Sequence, residues 1–113
     1  MTGKLSTHVL DTARGKPAAG MTIRLFHDET QIASAITNRE GRTDAPLVAS
    51  GALRVGVYRI EFDVGDYFAS LGDPDAGRFL DVVPIVFRID DAAQSYHVPL
   101  LVSPWAYSTY RGS

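Results

Sequence analysis

Cysteine is absent from the 113 residues. That absence removes disulfide scaffolds, thiolate nucleophiles and cysteine-ligated zinc together, and it fits a reducing compartment, with the cytoplasm as the expected location. Long apolar runs are lacking too. No stretch approaches the roughly 20 apolar residues of a membrane span. The opening Met1-Thr2-Gly3-Lys4-Leu5-Ser6-Thr7-His8 has none of the apolar core of about 7–15 residues that marks a secretory signal. A soluble protein without membrane contact is expected. An excess of charge is the third thing missing: 11 basic against 13 acidic side chains leave a net charge of −2. Proteins that bind phosphate backbones or anionic lipid carry a basic surplus, so nucleic acid is not an expected partner.

What the chain does have is an apolar fraction of 45% with 21% charged residues. At a domain size of about 100–200 residues this predicts one compact domain over residues 1–113, with a core that needs no metal or cross-link, and it excludes disorder and coiled coil. Short apolar alternations broken by turn residues recur about every ten residues, the pattern of an all-β sandwich. The alternation predicts seven or eight strands, at Leu5 to Asp11, Met21 to His27, Gln31 to Thr37, within Leu53 to Val64, at Val83 to Ile89, Ser95 to Val102 and around Ala106 to Tyr110. A further strand after the third is only weakly specified. Asp66 to Leu71 reads as a single short helix, with Asp66 as N-cap and Gly72 as terminator. The inward row is expected to include Tyr58, Ile60, Phe62, Ile85, Phe87, Tyr96, Val98 and Leu100.

The same period of two places His8 with Leu10 on the outer face of the first strand, and His97 with Pro99 and Leu101 on the outer face of the penultimate one. Apolar side chains beside histidines on an outward face suggest a surface covered by a partner. The three histidines, His8, His27 and His97, are the side chains whose ordinary pKa, about 6.5, suits proton transfer near neutrality. His27, at a strand end beside Asp28 and Glu29, reads as an ordinary surface residue. His8 and His97 are either outward strand histidines of no special role or part of a site, and spacing leaves both readings open. Separations of 19 and 70 residues match no local zinc motif, and no Gly-x-Ser-x-Gly elbow is present. Arg42, after Glu40-Gly41, is either a solvated turn residue or a fork of donors suited to a planar, oxygen-rich ligand.

Four segments carry a resemblance. They are Leu5-Ser6-Thr7-His8-Val9-Leu10-Asp11-Thr12 with Gly15-Lys16-Pro17-Ala18, Thr37-Asn38-Arg39-Glu40-Gly41-Arg42, Gly65-Asp66-Tyr67-Phe68, and the ending from Tyr96-His97-Val98-Pro99 to Tyr110-Arg111-Gly112-Ser113. Together they resemble the 5-hydroxyisourate hydrolase family, the transthyretin-related proteins, and the resemblance covers the whole chain. Its most specific part is Tyr110-Arg111-Gly112-Ser113, the tetrapeptide that separates the enzymes from transthyretin, a hormone carrier.

The resemblance implies a transthyretin-like β-sandwich of two four-stranded sheets with one short helix. It also implies a homotetramer around a central channel, with active sites at the contact between two dimers. It places the catalytic residues at His8, Arg42 and His97, with Arg39 as the alternative reading of the central motif, and substrate contacts at Tyr110, Arg111, Gly112 and Ser113. The implied reaction is hydrolysis of 5-hydroxyisourate to 2-oxo-4-hydroxy-4-carboxy-5-ureidoimidazoline in urate degradation, with no metal or organic cofactor. One of His8 and His97 is expected to act as general base. A transthyretin-like small-ligand carrier without turnover is the alternative, and a bacterial interaction module of immunoglobulin-like shape is a more distant one.

Overall fold

The β-rich pattern closes into two sheets in the computed structural model, which describes residues 3–112. Along the described chain the elements are β1 (Leu5–Asp11), β2 (Lys16–Pro17), β3 (Thr22–His27), β4 (Thr30–Ile36), β5 (Gly56–Asp63), α1 (Val64–Ser70), β6 (Val82–Ile89), β7 (Tyr96–Val102) and β8 (Tyr107–Thr109). One four-stranded sheet has the order β2-β1-β7-β8 and the other β4-β3-β5-β6. The expected sandwich of two four-stranded sheets with one short helix is therefore the observed one.

Alternation decides the facing in each sheet. In β1, Leu5, Thr7, Val9 and Asp11 are buried while Ser6, His8 and Leu10 are half-buried on the other face. In β5, Tyr58, Ile60 and Phe62 are buried and alternate with Arg59, Glu61 and Asp63. The two inner faces meet in one core that includes Leu5, Val9, Leu25, Ile60, Phe62, Ile85, Tyr96, Val98 and Leu100. Burying such side chains contributes about 1.5–3 kcal/mol each and supplies most of the fold's cohesion. At the end of β1 the buried Asp11 carboxylate accepts the Tyr67 hydroxyl of α1 at 2.8 Å and the Arg14 amide at 3.1 Å. Burial, then Asp11, pushes the Tyr67 hydroxyl pKa well above its usual value, so the bond persists across ordinary pH.

Four details depart from the sequence expectations. The helix begins at Val64 rather than after Asp66, and the N-cap position is Asp63, whose side chain makes no cap bond. The Asp63 carboxylate is taken instead by Arg24, at 2.9 and 2.6 Å. The first-turn amide of Gly65 finds the carbonyl of Asp81 at 2.9 Å, so the missing cap is replaced from another segment. Phe87 is only partly buried against the core, on an edge strand with neighbours on one side. Pro99 faces outward yet is buried, because His8 of β1 flanks it and Thr109 of β8 donates its hydroxyl to the Pro99 carbonyl at 2.7 Å. The weakly specified strand after the third does not form, the described residues there giving only a single bridge of Val48 to Leu5, and the eighth strand is instead β2, two residues pairing with Leu10 and Asp11 where the sequence reads as a turn.

Candidate active site

The outer face of the β2-β1-β7-β8 sheet carries the candidate residues, and the pairing of β1 with β7 puts them side by side. These strands are parallel, with Ser6 opposite His97 and His8 opposite Pro99. Neighbouring strands lie about 4.8 Å apart. His8 and His97 thus occupy one outward row, one pleat repeat apart along the strand direction. Both are half-buried.

Arg42 reaches the same face through a turn built by its neighbours. The Asn38 side-chain oxygen accepts the amides of Glu40 at 2.9 Å and Arg42 at 3.2 Å, and its amide group donates to Asp44 at 3.0 Å. Gly41 is left-handed, with φ of 76°, and a β-carbon there would collide with the carbonyl of Val9. Only glycine fits such a position. The close approach lets the Val9 amide donate to the Gly41 carbonyl at 2.8 Å, while His8 Nε2 donates to the Glu40 carbonyl at 2.8 Å. Since a carbonyl only accepts, His8 carries a proton on Nε2. The turn is therefore stapled to β1 at two successive residues, His8 and Val9.

His97 is held from three directions. Its Nδ1 lies 2.9 Å from the Ser6 hydroxyl. The Gly112 amide donates to its carbonyl at 2.7 Å, and a β-carbon on residue 112 would come within 2.6 Å of its Cδ2. Burial, then the positive charge of Arg42, then His8, lowers the His97 pKa from its usual 6.5. The ring is kept neutral at neutral pH, which is the state of a proton acceptor. Lys4, Ser6, Arg42, Ser95, Tyr96 and His97 line a shallow groove of about 330 Å³ here. Arg42, and not Arg39, is in that lining.

The other expected residues divide. Arg111 lies with its guanidinium 4.1 Å over the Tyr96 ring and donates to Gln94 at 3.0 Å and to the Ser95 carbonyl at 3.2 Å, which ties the last described residues to the start of β7. Tyr110 is exposed and lines a separate depression of about 390 Å³ between β6 and β8. Gly112 sits against His97, and Ser113 lies outside the described residues. His27 belongs to the other sheet, where it stacks on Tyr58 at 4.3 Å and its Nε2 donates to the Val55 carbonyl at 3.1 Å. The three histidines therefore do not converge. Among the described residues no group of three or more His, Asp or Glu side chains is arranged to hold a metal ion.

Sequence reasoning passed over Ser6 and Asn38. Asn38 stands in the Asn38-Arg39-Glu40-Gly41 stretch, whose Asn and Gly suit a tight turn, whereas nothing local to Ser6 announces a partner 91 residues away.

The model of the HIUase/Transthyretin family matches residues 5–112. A 5-hydroxyisourate hydrolase of Deinococcus radiodurans is 50% identical, over 96% of this chain and 95% of that protein. The structure of Klebsiella pneumoniae 5-hydroxyisourate hydrolase superposes with a TM-score of 0.86 at 35% identity, covering 98% of this chain and 99% of that one. A crystal structure of (S)-allantoin synthase gives a TM-score of 0.93 at 45% identity over 99% of this chain, which spans only 44% of that longer chain.

Proposed function

The chain belongs to the HIUase/Transthyretin family, and from that premise we propose that it hydrolyses 5-hydroxyisourate at the groove lined by Arg42 and His97, with His8 on the same sheet face beside it. The observation that carries the reading is the convergence of these three side chains on one sheet face, with His97 held neutral by burial and by Arg42. A carrier has no use for a proton acceptor poised in this way. An enzyme that splits a cyclic amide needs one.

In the proposed reaction a water molecule adds to the ring carbonyl, the carbon–nitrogen bond of the cyclic amide breaks, and the product is a carboxylate with a free ureido N–H. Neutral His97 takes the proton of the attacking water at Nε2. The resulting imidazolium returns it to the departing ring nitrogen, so the residue ends the cycle as it began. Arg42 stabilises the oxyanion that forms on the carbonyl carbon's oxygen, its planar fork matching adjacent substrate oxygens. His8, protonated at Nε2 toward Glu40, presents Nδ1 as a hydrogen-bond acceptor that orients the substrate. All of these steps use groups of the chain itself.

Residues 1–113 act in this reading as one hydrolase domain in the cytoplasm. No helix among the described residues is long and apolar enough to cross a membrane. The reading also includes a homotetramer whose dimer contact covers the groove. Its support is the shallowness of the groove on a sheet face, since catalysis of this kind gains from exclusion of bulk water. Light scattering tests the assembly, and a stable 12.3 kDa monomer at micromolar concentration would remove it. The activity is tested by following the absorbance of 5-hydroxyisourate. Decay faster than the spontaneous rate is expected, and decay at the spontaneous rate would end the reading.

A further inference from the structure

Ser6 stands opposite His97 in the parallel β1–β7 register, both side chains on the outward face, with its hydroxyl oxygen 2.9 Å from His97 Nδ1. On the other edge of the ring the chain passes so close that residue 112 has no room for a side chain, a β-carbon there meeting Cδ2 at 2.6 Å. Among the described residues Nε2 of His97 has no hydrogen-bond partner, and the ring lines the groove with Ser6 and Arg42. The ring nitrogen available to a ligand is therefore Nε2.

We propose that Ser6 is a positioning residue for hydrolysis: by accepting a hydrogen bond from His97 Nδ1–H it holds the imidazole in the tautomer whose lone pair lies on Nε2. The inference rests on the proposed reaction and names the residue that makes its base competent. A neutral imidazole carries one ring proton, and the group bonded to one nitrogen decides where that proton sits. With the proton on Nδ1, Nε2 accepts a proton from water. With the opposite tautomer Nε2 is itself a donor and the ring cannot act as base.

The Nδ1–H···Oγ bond has a second consequence. It fits both the neutral ring and the imidazolium, because Nδ1 keeps its proton in each. The proton is thus taken up and returned at Nε2 with no rearrangement at Ser6, and the arrangement is preorganised for a cycle in which His97 is charged only briefly.

Two readouts separate this role from mere packing. In Ser6→Ala, kcat should fall by about tenfold or more, while KM stays within about twofold, because Ser6 acts through His97 and not on substrate binding. Ser6→Thr retains the hydroxyl on a residue well suited to a strand and should restore most of the rate. The tautomer is read independently of turnover from the ¹⁵N chemical shifts of His97 in the free, folded protein near pH 7. The Nδ1–H form should dominate in wild type and in Ser6→Thr, and a mixture or the Nε2–H form should appear in Ser6→Ala. An Nε2–H ring in the wild type overturns the proposal, as does a folded Ser6→Ala variant with unchanged tautomer and unchanged kcat. Absence of hydrolysis by the wild type would instead overturn the reaction, leaving the nitrogen shifts to decide what Ser6 does to the ring.

Discussion

The amide of Gly112 lies 2.7 Å from the carbonyl oxygen of His97, and the space where a side chain would begin on residue 112 is filled by the His97 ring. The glycine of the Tyr110-Arg111-Gly112 segment is thus required by contact with a histidine 15 positions earlier, with Arg111 clamped over Tyr96 to hold the segment in place. Gly112→Ala should push the ring out of line while leaving the core untouched. A displacement of an ångström in a catalytic group can cost on the order of 10²-fold. The expected result is a fall of that order in kcat with little change in the urea midpoint, and a variant with wild-type kcat would show that the contact does not position the ring.

The His97 pKa lies below 6.5 because of burial, then Arg42, then His8. The acid limb of kcat/KM should therefore fall below pH 6.5, and Arg42→Ala should move it upward toward that value by removing a like charge, in whatever activity remains. The stability consequence has a definite sign. Below about pH 6.5 the unfolded histidine binds a proton that the folded one resists, so this contribution is present above that pH and is lost as the pH falls. A limb above 6.5, or one that moves downward in Arg42→Ala, would contradict the electrostatic account.

Phe62 is fully buried at the centre of the core, whereas Phe87 on the edge strand β6 is only partly buried. Phe62→Ala should cost about 3–5 kcal/mol in urea unfolding, a large share of a small domain's stability. Phe87→Ala should cost less than half as much. Equal losses at the two positions would show that the edge strand is covered more completely than the described residues indicate.

Much of this organisation was legible in the chain itself. The bounds of β1 follow from strict alternation closed by a turn, and Gly41 marks where the Arg42 turn must bend close to its neighbours. The facings of His8 and His97 follow from a period of two. The start of α1 was not legible, because the carboxylate of Asp63 is drawn to Arg24 across the sheet and Gly65 is satisfied by Asp81, both contacts between segments distant in sequence. β2 is too short for any period to show. The pairing of Ser6 with His97 joins strands 91 residues apart, and no local pattern encodes a parallel register of that separation. Chemistry-bearing residue types could be found from the chain alone, but the residue that aims one of them required the fold.

The central claim is that His8, Arg42 and His97 act as one hydrolytic site, and the measurement that reaches it most directly is the initial rate of 5-hydroxyisourate decay with purified wild type, His97→Ala, Arg42→Ala and His27→Ala side by side. General-base and oxyanion contributions are each worth on the order of 10²-fold. Wild type and His27→Ala should accelerate decay equally, while His97→Ala and Arg42→Ala, folded by circular dichroism, should each lose on the order of 10²-fold or more. Wild-type protein that leaves the spontaneous rate unchanged, or a His97→Ala variant that keeps most of the activity, would contradict the account.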